Sequence, residues 1–143
     1  MSVYKIYIHV AFTTKNKQPL IQPNLRETLF SCLYREFSKL GCQLFIVNGQ
    51  PDHIHCLFSL NAQKSVSEII KHIKGLSSHY LNSLQMNPEP FAWQKGYSAI
   101  SISEENLPHI TRFIHQQERF PGFTSNLDFA SMTNALFQED NEE

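Results

Sequence analysis

The spacing of apolar residues in this chain switches repeatedly between the strand period of two and the helix period of three to four. The order of those switches limits the available folds more than any other feature. Residues 4–14 alternate polar and apolar at first, then become mostly apolar and rich in β-branched and aromatic side chains, as a central strand does. A polar, proline-bearing loop (15–23) follows. Asn24 then stands where it can cap a helix in which Leu25, Leu29, Leu33, Phe37 and Leu40 recur at three- or four-residue spacing, with Gly41 placed to close it. Residues 42–48 read as a second strand, 49–52 (Gly-Gln-Pro-Asp) as a turn, and 53–59 as the hairpin partner. Ser65 and Glu68 have capping-box spacing and open a helix with Ile69, Ile70, Ile73, Leu76 and Tyr80 on or near its apolar face. Residues 97–101 give a short fourth strand. A final helix is expected over about 106–118, with Leu107, Ile110 and Ile114 inward and Pro108 tolerated in the first turn. A loop from Gly122 and a short helix near 129–137 complete the reading.

The resulting order, β-α-β-β-α-β-α, places two strand–helix–strand halves around one antiparallel sheet. This is an α+β, ferredoxin-like core with a C-terminal helix added to it. Many unrelated activities use that topology, so it leaves function open.

At 143 residues the chain fits one domain, expected over 1–137, followed by an acidic tail (138–143) expected to be flexible. No apolar run approaches the roughly 20 residues needed to cross a bilayer, and the first ten residues lack the pattern of a signal peptide. Cys32, Cys42 and Cys56 include no Cys-x-x-Cys pair and read as small apolar residues of a reduced, cytoplasmic protein. The net charge of −1 argues at first against nucleic acid. Four of the 13 acidic residues lie in the tail, however, which leaves nine against 12 basic residues in the rest of the chain, enough to permit a DNA-binding face.

Chemistry concentrates at Pro51-Asp52-His53-Ile54-His55. Residues two apart on a strand share a face, so His53 and His55 present two imidazoles side by side while Ile54 packs on the opposite face. Neutral imidazoles suit a divalent ion, although a His-x-His pair by itself is equally the mark of two ordinary strand histidines. On the final helix Phe113 and Gln117 are four apart and so lie one above the other. Gln117 can offer an amide oxygen to a hard cation; the alternative is an exposed glutamine above a phenylalanine at the core's edge. His-Glu-x-x-His is absent, as is the pair of separated His-x-Ser/Thr motifs that a two-histidine phosphoesterase requires.

Taken in order, these segments resemble the single-tyrosine HUH transposases of small insertion sequences, relatives of the REP-associated tyrosine transposases. The resemblance is carried by residues 7–15, 49–57 (Gly-Gln-Pro-Asp-His-Ile-His-Cys-Leu), 69–75, 93–99 (Trp-Gln-Lys-Gly-Tyr-Ser-Ala) and 110–117 (Ile-Thr-Arg-Phe-Ile-His-Gln-Gln). It implies that His53 and His55 are the motif histidines, that Gln117 is the third ligand of Mg²⁺ or Mn²⁺, and that the substrate is single-stranded DNA bearing a hairpin. It further implies a homodimer in which the final helix serves the partner's metal site.

In that family the residue four before the glutamine is the tyrosine that attacks the scissile phosphate and forms a 5′-phosphotyrosine. Here it is Phe113, which keeps the ring and lacks the attacking oxygen. The rest of the motif set is intact. The chain therefore reads as an engineered Tyr→Phe variant that binds without cleaving, with a natural, non-catalytic hairpin-binding derivative as the alternative. Substitution by Tyr97 or Tyr80 is a weaker option. Lys15, Lys64, Lys71 and Lys74, with Lys17, His72 and His79, are candidates for phosphate contacts or for an ordinary solvated surface. Tyr4, Tyr7 and Trp93 could stack on bases or simply pack.

Overall fold

The computed structural model describes residues 2–118, so the expected helix near 129–137 and the acidic tail 138–143 lie outside the described residues. Four strands form one sheet in the order β2 (Gln43–Gln50), β3 (His53–Ser59), β1 (Tyr7–Thr13), β4 (Ser98–Ile102), with every neighbouring pair antiparallel. This order is the one two interleaved strand–helix–strand halves produce, and the α+β, ferredoxin-like expectation holds.

The strand alternation sorts side chains by face. Ile8, Val10 and Phe12 of β1, Leu44 and Val47 of β2, and Ile54, Cys56 and Phe58 of β3 meet helices α1 (Pro23–Lys39) and α2 (Val66–Leu84). There they join Leu25, Leu29, Leu33 and Phe37 of α1 and Ile69, Ile70, Ile73 and Leu81 of α2 in one buried cluster. Each fully buried Leu, Ile or Phe contributes about 1.5–3 kcal/mol, so this layer holds the sheet in place. The opposite face carries His9, Ala11, His53, His55 and Leu57, and against it lies α3 (Leu107–His115), packed on β2 and β3.

Several boundaries differ from those read in the sequence. α1 begins at Pro23 with Gln22 before it, and no side chain caps it. A proline in the first helical position supplies a preset φ and has no N–H to leave unsatisfied. Asn24 is released to donate from Nδ2 to Asn87 Oδ1 at 3.2 Å. Gly41, at φ +75°, ends the helix as expected. The capping box of α2 is complete: Glu68 N donates to Ser65 Oγ at 3.1 Å, and Ser65 N to Glu68 Oε1 at 2.7 Å.

β2 continues through Gly49 and Gln50, leaving Pro51 and Asp52 as the turn. Its register against β3 shifts between Leu44 and Ile46, where Phe45 is the extra residue of a β-bulge. Beyond the bulge Asn48 stands opposite His55, Gly49 opposite Ile54, and Gln50 opposite His53. A Cβ at Gly49 would lie 2.2 Å from the His53 carbonyl oxygen, so only glycine fits there. α3 ends at His115 and is followed by a 3-10 turn, Gln116–Glu118, in place of the single helix expected to about 118.

Candidate metal and nucleic-acid site

The register of β1, β3 and β2 brings the polar side chains of the face under α3 together. Thr13 is opposite His53 and Ala11 opposite His55, which places His9 diagonally beside the His55 ring. His53 and His55 share a face as the strand period requires, with ring centroids 5.2 Å apart and planes at 82°. Ile54 between them is fully buried in the helix-side core.

Both rings are held through Nδ1. His53 Nδ1 lies 2.7 Å from Asp52 Oδ1, and His55 Nδ1 lies 3.0 Å from His9 Nε2. A metal-binding histidine is commonly oriented in this way, by a hydrogen bond on the nitrogen that does not face the ion. The bond can be made with the proton on either nitrogen; the tautomer with Nδ1–H on His55 and an accepting Nε2 on His9 is the one that leaves the His55 Nε2 lone pair for a cation.

Electrostatics supports neutral rings at His9 and His55. Burial pushes His9 down to about 4, and His55 well below the usual imidazole range by burial first and by the neighbouring His9 and His53 second. Asp52 is held below the ordinary carboxylate value chiefly by its hydrogen bond with His53. A neutral imidazole is the state in which a cation is bound.

α3 supplies the rest. The Phe113 ring meets His55 edge-on at 5.4 Å between centroids and His9 at 5.9 Å. One turn further, Gln117 is buried, its backbone carbonyl accepts from Gln50 Nε2, and its own Nε2 lies 3.5 Å from the Phe113 carbonyl. Three buried side-chain atoms make no hydrogen bond among the described residues: Gln117 Oε1, His53 Nε2 and His55 Nε2. A buried amide oxygen left without a donor costs about 1–3 kcal/mol, a cost that a cation beside it would remove. No three or more His, Cys, Asp and Glu side chains among the described residues are grouped to hold a metal ion.

The structure thus brings His53, His55, Phe113 and Gln117 to one place within a single chain. His9, Asp52, Asn48 and Gln50 complete the surroundings and were not singled out from the sequence. His9 was legible in principle, since it shares with Ala11 and Thr13 the face of β1 opposite the apolar Ile8/Val10/Phe12 series.

The candidate DNA-contacting residues separate into groups. Lys15 and Lys71 are exposed and Lys64 is half-buried. Lys74 is turned inward: its Nζ donates to the carbonyls of Gln94 at 2.6 Å and Gly96 at 2.8 Å, and burial lowers its pKa. Trp93 packs edge-on against Phe12 and Phe91 and donates from Nε1 to Ser77 Oγ at 2.9 Å. Tyr80 and Tyr97 pack against the helix-side core, and Tyr4 is half exposed. No helix among the described residues is long and apolar enough to cross a membrane.

Against known families, residues 2–117 match the one described as IS200-like transposase. A curated relative, the ISDra2 transposase TnpA of Deinococcus radiodurans, is 22% identical over 120 residues, which span 80% of this chain and 86% of that one. A crystal structure of a candidate transposase from Deinococcus radiodurans R1 superposes with a TM-score of 0.66 at 23% identity, covering 81% of this chain and 93% of its own. A REP-associated tyrosine transposase bound to a REP hairpin superposes with a TM-score of 0.61 at 15% identity, covering 81% of this chain and 72% of its own.

Proposed function

The chain belongs to the IS200-like transposases, and from that footing we propose that it binds hairpin-bearing single-stranded DNA at a divalent-cation site made by His53, His55 and Gln117, without the covalent cleavage that a tyrosine at position 113 would perform. The observation that carries this reading is the Phe113 ring, 5.4 Å from His55, one helical turn before a buried amide oxygen that makes no hydrogen bond. The hairpin-bound relative of the same fold supports DNA as the partner.

The donors fit Mg²⁺ or Mn²⁺: two imidazole nitrogens and one amide oxygen leave coordination positions for phosphate oxygen and water. When bound, such an ion would polarise the scissile phosphate and stabilise charge on the leaving 3′-oxygen. His9 and Asp52 fix the two imidazoles, and burial keeps His55 neutral. α3 presents Gln117 to the ion and the ring at 113 toward the phosphate. In an active relative the phenol oxygen of that ring attacks in line, conserving the phosphoester energy as phosphotyrosine. Phenylalanine supplies the same packing and no attacking atom. Lys15, Lys64 and Lys71 would meet backbone phosphates, whereas Lys74 serves the fold.

The expected homodimer would form by exchange of α3 between subunits, each helix making these contacts on its partner. α3 also meets the histidines within a single chain, so one chain suffices to bring the side chains together. Sedimentation of the DNA-bound protein distinguishes the two assemblies.

The test is Phe113→Tyr. With Mg²⁺ or Mn²⁺ and hairpin-bearing single strands drawn from the sequences flanking its own gene, the variant should yield a protein–DNA adduct that survives denaturing electrophoresis. The parent chain should bind the same strands and form none. Cleavage by the parent, or no adduct from the variant with any flanking hairpin, would overturn the reading.

A further inference from the structure

The last carbonyls of an α-helix have no partner inside the helix. At the end of α3 they are met from β2. Asn48 Nδ2 donates to the Ile114 and His115 carbonyls, each at 3.0 Å, and Gln50 Nε2 donates to the Gln117 carbonyl just beyond. From the other side, Arg26 of α1 donates through Nη1 to the Gly49 carbonyl at 3.1 Å and through Nη2 to Asn48 Oδ1.

A guanidinium only donates and a backbone carbonyl only accepts, so the Asn48 amide has one permitted orientation: oxygen toward Arg26, NH₂ toward α3. Aspartate or leucine of similar size could not serve both sides. Asn48 and Gln50 are both buried, and in the ladder they stand opposite His55 and His53. The same two rungs of the sheet therefore carry imidazoles on β3 and helix-gripping amides on β2.

We infer that Asn48 and Gln50 are positioning residues for the reaction centre: they fix where along β2 the helix α3 comes to rest, and so where Gln117 and the ring at 113 meet His53 and His55. The inference rests on the reading of Gln117 as a cation ligand. The two amides act through α3 and touch neither phosphate nor ion. An α-helix presents equivalent side chains every turn, about 5.4 Å apart, so apolar packing alone can leave neighbouring registers close in energy. Directional bonds to three defined carbonyls select one of them.

Asn48→Asp isolates the role. It keeps an oxygen for Arg26, adds charge that strengthens that contact, and turns an acceptor toward two carbonyl oxygens. Hydrogen exchange and Mn²⁺ binding, followed by electron paramagnetic resonance, are measured on the full chain. Exchange across residues 107–118 should rise by at least about tenfold, as expected when one or two hydrogen bonds are lost. Protection of β1, β3, α1 and α2 should stay as in the parent. Mn²⁺ affinity should fall by about 10- to 100-fold, the usual effect of losing support around a ligand. Unchanged protection of 107–118 with unchanged Mn²⁺ affinity overturns the inference. A parent chain that binds no Mn²⁺ removes the cation reading instead, while the exchange comparison still decides whether these amides hold α3. Should Asn48→Asp loosen the whole sheet, Gln50→Glu makes the same donor-to-acceptor change away from Arg26, and the same increase confined to 107–118 is required of it.

Discussion

His9 Nε2 lies 3.0 Å from His55 Nδ1, so the ring proposed to face a cation is oriented by an imidazole from the neighbouring strand rather than by a carboxylate. Phenylalanine at position 9 would keep the packing against the ring at 113 and leave His55 Nδ1 without its partner. His9→Phe is expected to cost about 1–3 kcal/mol of stability and to weaken Mn²⁺ binding about 10- to 100-fold. Urea unfolding together with a Mn²⁺ titration checks both. Full Mn²⁺ affinity in the variant would show that His9 does not orient the ligand.

Gln117 separates binding from stability. Gln117→Leu removes the buried oxygen that makes no hydrogen bond and fills a similar volume. Without metal the variant should melt no lower than the parent, because the deleted group costs free energy where it lies. Added Mn²⁺, which should raise the melting temperature of the parent by mass action, should leave the variant unmoved. Equal shifts in the two proteins would remove Gln117 from the donor set.

Two lysines on α2 should behave differently. Lys71 is exposed, and Lys71→Ala should weaken hairpin binding and reduce the salt slope of the single-strand affinity by about 0.7. Lys74 donates to the Gln94 and Gly96 carbonyls, and Lys74→Met should instead lower stability by about 1–2 kcal/mol. Binding isotherms at several salt concentrations, set beside urea unfolding, tell the two roles apart.

Glu36 gives the fold a dependence on acid. It is buried on α1 with Lys39 Nζ at 3.2 Å, Arg35 Nε at 3.5 Å and His72 Nε2 of α2 at 3.6 Å. Burial alone would raise its pKa, but the hydrogen bond and charge of Lys39, with His72 and Arg35 behind, outweigh it and set the carboxyl below its ordinary 4.5. A carboxylate with a depressed folded value stabilises the protein above its unfolded pKa and loses that contribution as pH falls through the folded one. Glu36→Gln should therefore be less stable than the parent at pH 7, with the gap narrowing toward pH 3. A gap independent of pH in urea unfolding would show that the ion pairs contribute nothing.

Much of this arrangement could be read from residue spacing. The period-two pattern put His53 and His55 on one face with Ile54 on the other, and the capping box at Ser65 and Glu68 located the start of α2. Helix and strand order followed because each amphipathic segment must bury its apolar side. The roles of His9, Asn48 and Gln50 were hidden for a different reason. They depend on which strands become neighbours and in what register, and antiparallel pairing of β1 with β3 is settled by the whole core rather than by any local pattern. Asn48 and Gln50 also look like the polar end of a strand, because the carbonyls that they satisfy belong to a helix about 65 residues later in the chain. Lys74 illustrates the opposite error, a surface-type residue whose charge is spent on two loop carbonyls.

Phe45 lets β2 carry one residue more than β3 opposite it. Leu44 and Val47 are three apart and would face opposite ways in an unbroken strand, yet both join the helix-side core because Phe45 is left out of the pairing. Counted from the turn at Pro51 and Asp52, the rungs of Gln50 with His53 and Asn48 with His55 come before the bulge and do not depend on it. Pairing Phe45 into the ladder would therefore swap it for Leu44 in the core and leave the carboxamides where they are, so the hairpin end that carries the imidazoles is insulated from a change of count at the far end of β2.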